Sequence, residues 1–191
     1  MILSNKKFNL NAWLTAFLML AMCNGLQAAP PLSGAETTLT DSEIGTNYQR
    51  EGKTHKARYY YLRALSNDSK DATALYGLAS MEYRNGEYDK AFNRLNKILS
   101  GKSTNVGALI LRGNIYLRQT SSQRPNQASA TLNKALKDFQ TAEQLDSENP
   151  QVQAGLESTY TQMGDKQNSG KALVRYSQLI KTQTNATRKS Q

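Results

Sequence analysis

The sequence predicts an all-α fold, a solenoid of about four helix-turn-helix repeats, and three observations predict it. Residue types recur at a step of 34 positions: Gly45, Ala79 and Gly113 share it, as do Arg50, Arg84 and Arg118. Gly52 and Gly86 stand one step apart between helically patterned segments, where a left-handed residue ends a helix with little steric cost. Small residues at Ala57, Ala91 and Ala135 recur beside large ones at Tyr61, Leu95, Phe139 and Tyr176. Such knob-and-gap alternation buries a continuous core only when neighbouring repeats stack.

The elements follow in order. Lys6 and Lys7 precede a mostly apolar stretch from Ala12 to Met22, and the small residues Ala28 and Ala29 follow. A positive start, an apolar run of about ten residues and a small-residue exit describe a secretory signal peptide; a spanning helix needs about 20 residues. Residues 1–28 are read as that signal, with cleavage after Ala28. Residues 29–37, containing Pro30, Pro31 and Gly34, are read as a linker.

The repeat array is placed over 38–182. Repeat one, 38–71, reads as helices Asp41–Glu51 and Thr54–Ser66, with Thr40 and Glu43 spaced for a capping box. Repeat two, 72–105, reads as helices Ala72–Asn85 and Tyr88–Ser100. Repeat three, 106–149, keeps Gly113, Ala135 and Phe139 but holds about ten extra residues between its helices. That insertion, 120–128, carries Ser121, Ser122, Pro125 and Asn126 and reads as a surface loop, either a partner contact or neutral length variation. Asn149-Pro150 restarts a helix, because proline's missing N–H is harmless in a first turn. Repeat four, 150–182, ends in a helix of roughly Ser169–Thr182 with Ala172, Leu173, Tyr176, Leu179 and Ile180 on one stripe. Residues 183–191 are expected to be a disordered basic tail.

Formal charge is +9, and it falls to +7 without residues 1–28, which hold two lysines and no acid. That balance favours acidic partners, whether protein tails, anionic polymers or a membrane surface, and does not by itself indicate nucleic acid. Cys23 is the sole cysteine. Leu20-Ala21-Met22-Cys23 resembles a bacterial lipobox, which makes Cys23 a candidate lipidation site, although Met22 stands where that pattern takes Gly, Ala or Ser. The other reading is a passive residue of the apolar run. The expected location is periplasmic or exported, with an outer-membrane lipoprotein as the alternative.

Repeat one carries Ile44, Gly45, Tyr48, Gly52, Ala57, Tyr61 and Ala64; repeat two carries Leu78, Ala79, Gly86, Tyr88, Ala91 and Leu95. Repeat three carries Gly113, Tyr116, Ala135, Phe139 and Ala142; repeat four carries Leu156, Tyr160, Gly164, Ala172 and Tyr176, with Glu157 at a normally small position. On these residues the chain resembles the tetratricopeptide repeat (TPR) family. The resemblance implies a right-handed superhelix whose first helices line a concave face. The family's inward positions, carried onto this chain, select Thr46, Gln49 and Arg50 in repeat one and Tyr76, Ser80, Tyr83 and Arg84 in repeat two. They select Ile110, Asn114, Leu117 and Arg118 in repeat three, and Ala154, Ser158, Thr161 and Gln162 in repeat four.

Two columns emerge as candidate partner-binding groups. Arg50, Arg84 and Arg118 form a basic ladder; Tyr76, Tyr83, Ile110 and Leu117 form an apolar patch beside it; Asn114 and Arg118 match positions at which members of the family clamp a terminal carboxylate. Guanidinium groups hold carboxylates through paired hydrogen bonds, and aromatic anchors bury peptide side chains. The expected partner is an extended or helical peptide with acidic groups, such as a C-terminal carboxylate. The expected role is a non-catalytic envelope scaffold, without cofactor or metal. The chain is similar to the small TPR proteins of tight-adherence, type IV pilus or secretion assembly systems. The alternatives are a chaperone-like module for cytochrome maturation and one for exopolysaccharide export.

Three further signals are read as bland. Ser100-Gly101-Lys102-Ser103-Thr104 is reminiscent of a phosphate-binding loop, but Asn96 stands where the upstream glycine belongs. His55, the sole histidine, is assigned to solvated surface. Tyr59, Tyr60 and Tyr61 are read as packing residues rather than a stacking platform.

Overall fold

The computed structural model describes residues 39–100 and 104–189, which form eight α-helices. The expected signal segment, Cys23, the linker and residues 101–103 lie outside the described residues. The helices are α1 (Asp41–Arg50), α2 (Thr54–Asn67), α3 (Ala72–Arg84), α4 (Tyr88–Leu99), α5 (Val106–Thr120), α6 (Pro125–Leu145), α7 (Pro150–Met163) and α8 (Lys166–Lys189). They pair in sequence as four antiparallel hairpins, an all-α solenoid.

Local chemistry sets the boundaries. Thr40 Oγ1 accepts from the Glu43 N–H at 3.3 Å while the Thr40 N–H donates to Glu43 Oε2 at 2.7 Å, so two otherwise orphaned donors are satisfied. Asp71, Asn105 and Asn149 accept from the first turns of α3, α5 and α7 in the same manner. The turns at Gly52, Gly86 and Gly164 have φ of 72°, 77° and 78°, where a side chain would be strained.

The first helices α1, α3, α5 and α7 touch one another along the array, whereas the second helices α2, α4, α6 and α8 do not. Close spacing of one layer and wider spacing of the other put the first helices on the inner side of the curve. The core between the layers comprises Ala57, Tyr61 and Leu78 in one cluster, Ala91, Leu95 and Ile115 in the next, and Ala135, Phe139 and Val152 in the third. Leu65 packs against the first two clusters and Leu99 against the last two, so the core is continuous.

Two aromatic rings act as wedges. A Cβ on Gly45 would lie 2.7 Å from Tyr61 Cδ1, and one on Gly77 would lie 2.3 Å from Tyr61 Cζ. A Cβ on Gly113 would lie 2.7 Å from Phe139 Cζ, and one on Gly155 2.2 Å from Phe139 Cε1. Each ring therefore fills space that only a glycine backbone leaves, on its own first helix and on that of the next repeat.

Charged pairs tie the first helix to the second in repeats one to three. Arg63 clasps Asp41 with two hydrogen bonds, and Arg94 Nε reaches both carboxylate oxygens of Glu82 at 2.8 and 2.9 Å. Arg112 holds Asp138 by Nε and Nη2, both at 2.8 Å, and bonds Asn96 through Nη1. Glu82 has no solvent exposure at all, so Arg94 removes what would otherwise be an uncompensated buried charge.

Two expectations are corrected. The insertion at 120–128 is not a loop: α5 continues to Thr120, a short turn covers Ser121–Arg124, and Pro125 opens α6. Most of the extra length thus becomes additional turns of α6, which bury Thr131 and Leu132 before the repeat's own Ala135 is reached. The tail is not disordered over its described length either, because α8 runs from Lys166 to Lys189 rather than stopping near Thr182.

Candidate inner-face site

The arginines of the ladder differ from those engaged in packing. Arg63, Arg94 and Arg112 each pair with a carboxylate between helices. Arg50, Arg84 and Arg118 all lie at the ends of their first helices, all are exposed, and among the described residues none pairs with a carboxylate. A cation at a helix C-terminus complements the helix dipole, which accounts for the position without consuming the guanidinium.

The charges of Arg50 and Arg84 both bear on the Tyr61 hydroxyl. Burial pushes the pKa of the Tyr61 hydroxyl up, while a hydrogen bond with Thr46 and the positive charges of Arg50 and Arg84 oppose that rise. The hydroxyl donates to Gln49 Oε1 at 2.8 Å, with Thr46 Oγ1 3.3 Å away. Tyr61 is thus buried as a whole, 2% exposed, and its hydroxyl ties the core to Thr46 and Gln49 of α1. The sequence assigned Thr46, Gln49 and Arg50 inward but treated Tyr61 only as a knob. The available signal was the residue type, since a buried tyrosine oxygen seeks a polar partner that phenylalanine does not need.

Arg118 is held differently. Its hydrogen bond with the Tyr83 side chain keeps its guanidinium pKa above the usual value, and Tyr88 adds to the effect. Tyr83 in turn packs on Tyr88, ring centroids 5.4 Å apart, so an aromatic pair on repeat two positions a cation of repeat three.

The apolar patch is smaller than expected. Ile110 is only 6% exposed and packs with Ala135, Phe139 and Val152, so it is core and not lining; the first helix of repeat three turns it toward α6 and α7. Leu117 is half-buried against the same cluster, and Tyr83 against the central one. Tyr76 is 36% exposed, with its ring laid over Gly107: a Cβ there would meet Tyr76 Cζ at 3.0 Å. Asn114 is half-buried on α5. Beyond the ladder, Thr120 Oγ1 reaches Gln162 at 2.7 Å and links the ends of α5 and α7.

The tyrosine run also divides in a manner that the reading as packing missed. Only Tyr61 is core; Tyr59 is 59% exposed, and Tyr60 stacks on Tyr48 at 5.3 Å with the Arg63 guanidinium 4.7 Å from its ring centre. A cleft of about 510 Å³ bordered by Ser69, Lys70, Leu75, Lys97 and Ile98 lies at the junction between repeats one and two, away from the ladder.

Known proteins share this geometry. The sequence profile of the family described as the Cilia and flagella-associated protein 70 middle TPR-like domain matches residues 42–180. A thermophilic TPR protein of Thermus thermophilus superposes with a TM-score of 0.63 at 18% identity, over 73% of this chain and 72% of that one. A tetratricopeptide repeat protein of Parabacteroides merdae ATCC 43184 gives 0.57 at 24% identity, over 75% of this chain and 51% of that one. Human IFIT1, solved as a dimer with PPP-AAAA, gives 0.59 at 19% identity, over 71% of this chain and 31% of that one. These likenesses are of fold, and no curated protein sequence matches the chain significantly.

Proposed function

The chain belongs to the family of the Cilia and flagella-associated protein 70 middle TPR-like domain, and from that premise we propose that it is a non-catalytic scaffold whose inner face binds an acidic peptide or subunit. A TPR fold supports protein–protein interaction in general. The observation that carries the finer reading is that Arg50, Arg84 and Arg118 recur one period apart at the exposed ends of the first helices without a carboxylate partner among the described residues, whereas Arg63, Arg94 and Arg112 are paired between helices. Tyr76 and Tyr83 supply the aromatic shoulder beside it.

In this reading the scaffold is periplasmic or exported and serves assembly of a pilus or secretion apparatus; an outer-membrane lipoprotein anchored at Cys23 is the alternative. Its support is the apolar run after Lys6 and Lys7, the lipobox-like residues before Cys23, and the positive charge. The test is affinity capture from envelope extract with the wild-type chain and an Arg50→Glu/Arg84→Glu/Arg118→Glu variant, read by mass spectrometry. A pilus or secretion component lost in the variant is the expected result. Equal retention would move the interface off the inner face, and a haem-attachment substrate or polysaccharide synthase would replace the pilus assignment.

A further inference from the structure

Two rows of side chains run across the first helices on the inner face. Arg50, Arg84 and Arg118 form one; four residues earlier on the same helices Thr46, Ser80 and Asn114 form the other, so each pair shares one face of its helix. Thr46 is engaged, donating to the Ser42 carbonyl at 2.9 Å. Ser80 and Asn114 are half-buried, and neither side chain makes a hydrogen bond among the described residues. The arginine row stops at repeat four, where Gln162 stands in its place and accepts from Thr120 Oγ1 at 2.7 Å.

Spacing restricts what can follow these rows. Helices in contact lie about 8–10 Å apart, axis to axis, and α1, α3 and α5 touch in succession. Three residues of polyproline II advance about 9 Å and return to the same edge, because that helix has three residues per turn. A β-strand covers a similar distance in three residues, but the third then points to the opposite side. Seven residues of α-helix also span about 10.5 Å on one face, yet the carbonyls are bonded within the helix. Polyproline II has no internal hydrogen bonds, so its carbonyls are open to the donors of Ser80 and Asn114.

We propose that the inner face binds a segment in polyproline II conformation with an acidic residue at every third position, three in all, one to each arginine. This rests on the reading of the ladder as a site for an acidic partner and adds the conformation and period of that partner. Arg118 keeps donors beyond the one it spends on Tyr83. A second edge of the threefold ligand faces Tyr76, which stands four residues before Ser80 and is 36% exposed. Proline rings along that edge suit an aromatic face, and the third edge is left to solvent. Such a chain is preset in conformation, so it loses little entropy on binding.

The test titrates the whole chain with fluorescent peptides of one composition, Glu-Pro-Pro repeated three times and the same residues with the three Glu together at one end. The periodic peptide is expected to bind saturably, about tenfold tighter than the clustered one, and to weaken about tenfold or more in Arg84→Glu. Asn114→Ala, with an unaltered melting curve, should weaken the periodic peptide about fivefold and leave the clustered one unchanged. A fourth Glu-Pro-Pro unit should add no more than about twofold, the statistical gain of a second register, because Gln162 holds the next place. Equal affinity for both arrangements, with both weakened in Arg84→Glu, overturns the period while the acidic site stands. Indifference of both peptides to Arg84→Glu removes the acidic site and the proposal together. A periodic peptide unaffected by Asn114→Ala, or bound less tightly than a stapled α-helix with Glu at every seventh residue, overturns the polyproline II conformation.

Discussion

Tyr61 and Phe139 occupy the same place in repeats one and three, each ring held between two glycine backbones, yet only one of them makes a hydrogen bond. Phe139 is wholly buried and ends in the core; Tyr61 extends one oxygen further and hands it to Gln49 near two unpaired arginines. The difference teaches that one packing solution can be purely apolar at one point of a repeat array and, by a single atom, also hydrogen-bond the neighbouring helix at another.

Removing the wedge altogether should have the largest effect. Phe139→Ala is expected to cost about 3–5 kcal/mol in chemical denaturation, since the transfer of the ring and the cavity it leaves both count. A much smaller loss would mean that the repeats close over the gap and that the slot does not set their spacing. Filling a gap instead should cost less: Gly77→Ala and Gly155→Ala are each expected to lose about 1–3 kcal/mol through overpacking. If either is neutral in the same assay, that ring slides freely and the two slots are not alike.

The oxygen itself gives a reciprocal pair. Phe139→Tyr puts a hydroxyl where Leu117 stands in the place of Gln49 and should cost about 1–3 kcal/mol, whereas Tyr61→Phe, which takes the donor from Gln49, should cost about 1 kcal/mol. Equal costs in both directions would erase the distinction between the slots. Arg84→Glu should weaken binding of an acidic peptide by more than about 1 kcal/mol with melting unchanged, and unchanged affinity would return the ladder to solvent.

Acid should act least, and on the Tyr61 side. The Arg63 hydrogen bonds hold Asp41 below its ordinary 3.8, and the Thr40 backbone N–H holds Glu43 below 4.5. Stability from groups with depressed folded values is fully present above the unfolded values and is lost as pH falls through the folded ones. Hydrogen exchange in α1 should therefore accelerate slightly below about pH 4, and an Arg63→Ala variant should not show Asp41's share of that dependence.

Repeat chemistry made most of the fold legible. Thr40, Gly52 and Gly86 mark helix ends through local hydrogen bonding and backbone sterics, and the sequence carries both directly. Pro125 was read as a turn residue although it also suits a first helical position, and the Thr131–Leu132 pair that pulls the segment onto the core is recognised only once packed. In the tail, Thr182, Thr184 and Thr187 donate to carbonyls one turn back and so satisfy themselves within the helix, where composition suggested disorder. At the site, Arg50 and Arg84 were found by period, but the inward pattern could not separate Ile110, which turns into the core, from Tyr76, which does not. Nor did period distinguish free arginines from paired ones, because the carboxylates of Asp41, Glu82 and Asp138 lie 12 to 26 positions from their partners.

The polarity of those pairs reverses at repeat three. In repeats one and two the acids Asp41 and Glu82 lie on the first helix and the bases Arg63 and Arg94 on the second; in repeat three the base Arg112 lies on the first helix and the acid Asp138 on the second. Helices in such an array resemble one another, so a refolding chain can bring a first helix against the wrong second helix. Matching α3 with α6 would set Glu82 against Asp138, and matching α5 with α4 would set two arginines face to face. Stranding even one such charge in the interior costs about 3–5 kcal/mol, enough to make the mistaken topology dissolve before neighbouring repeats can lock it in.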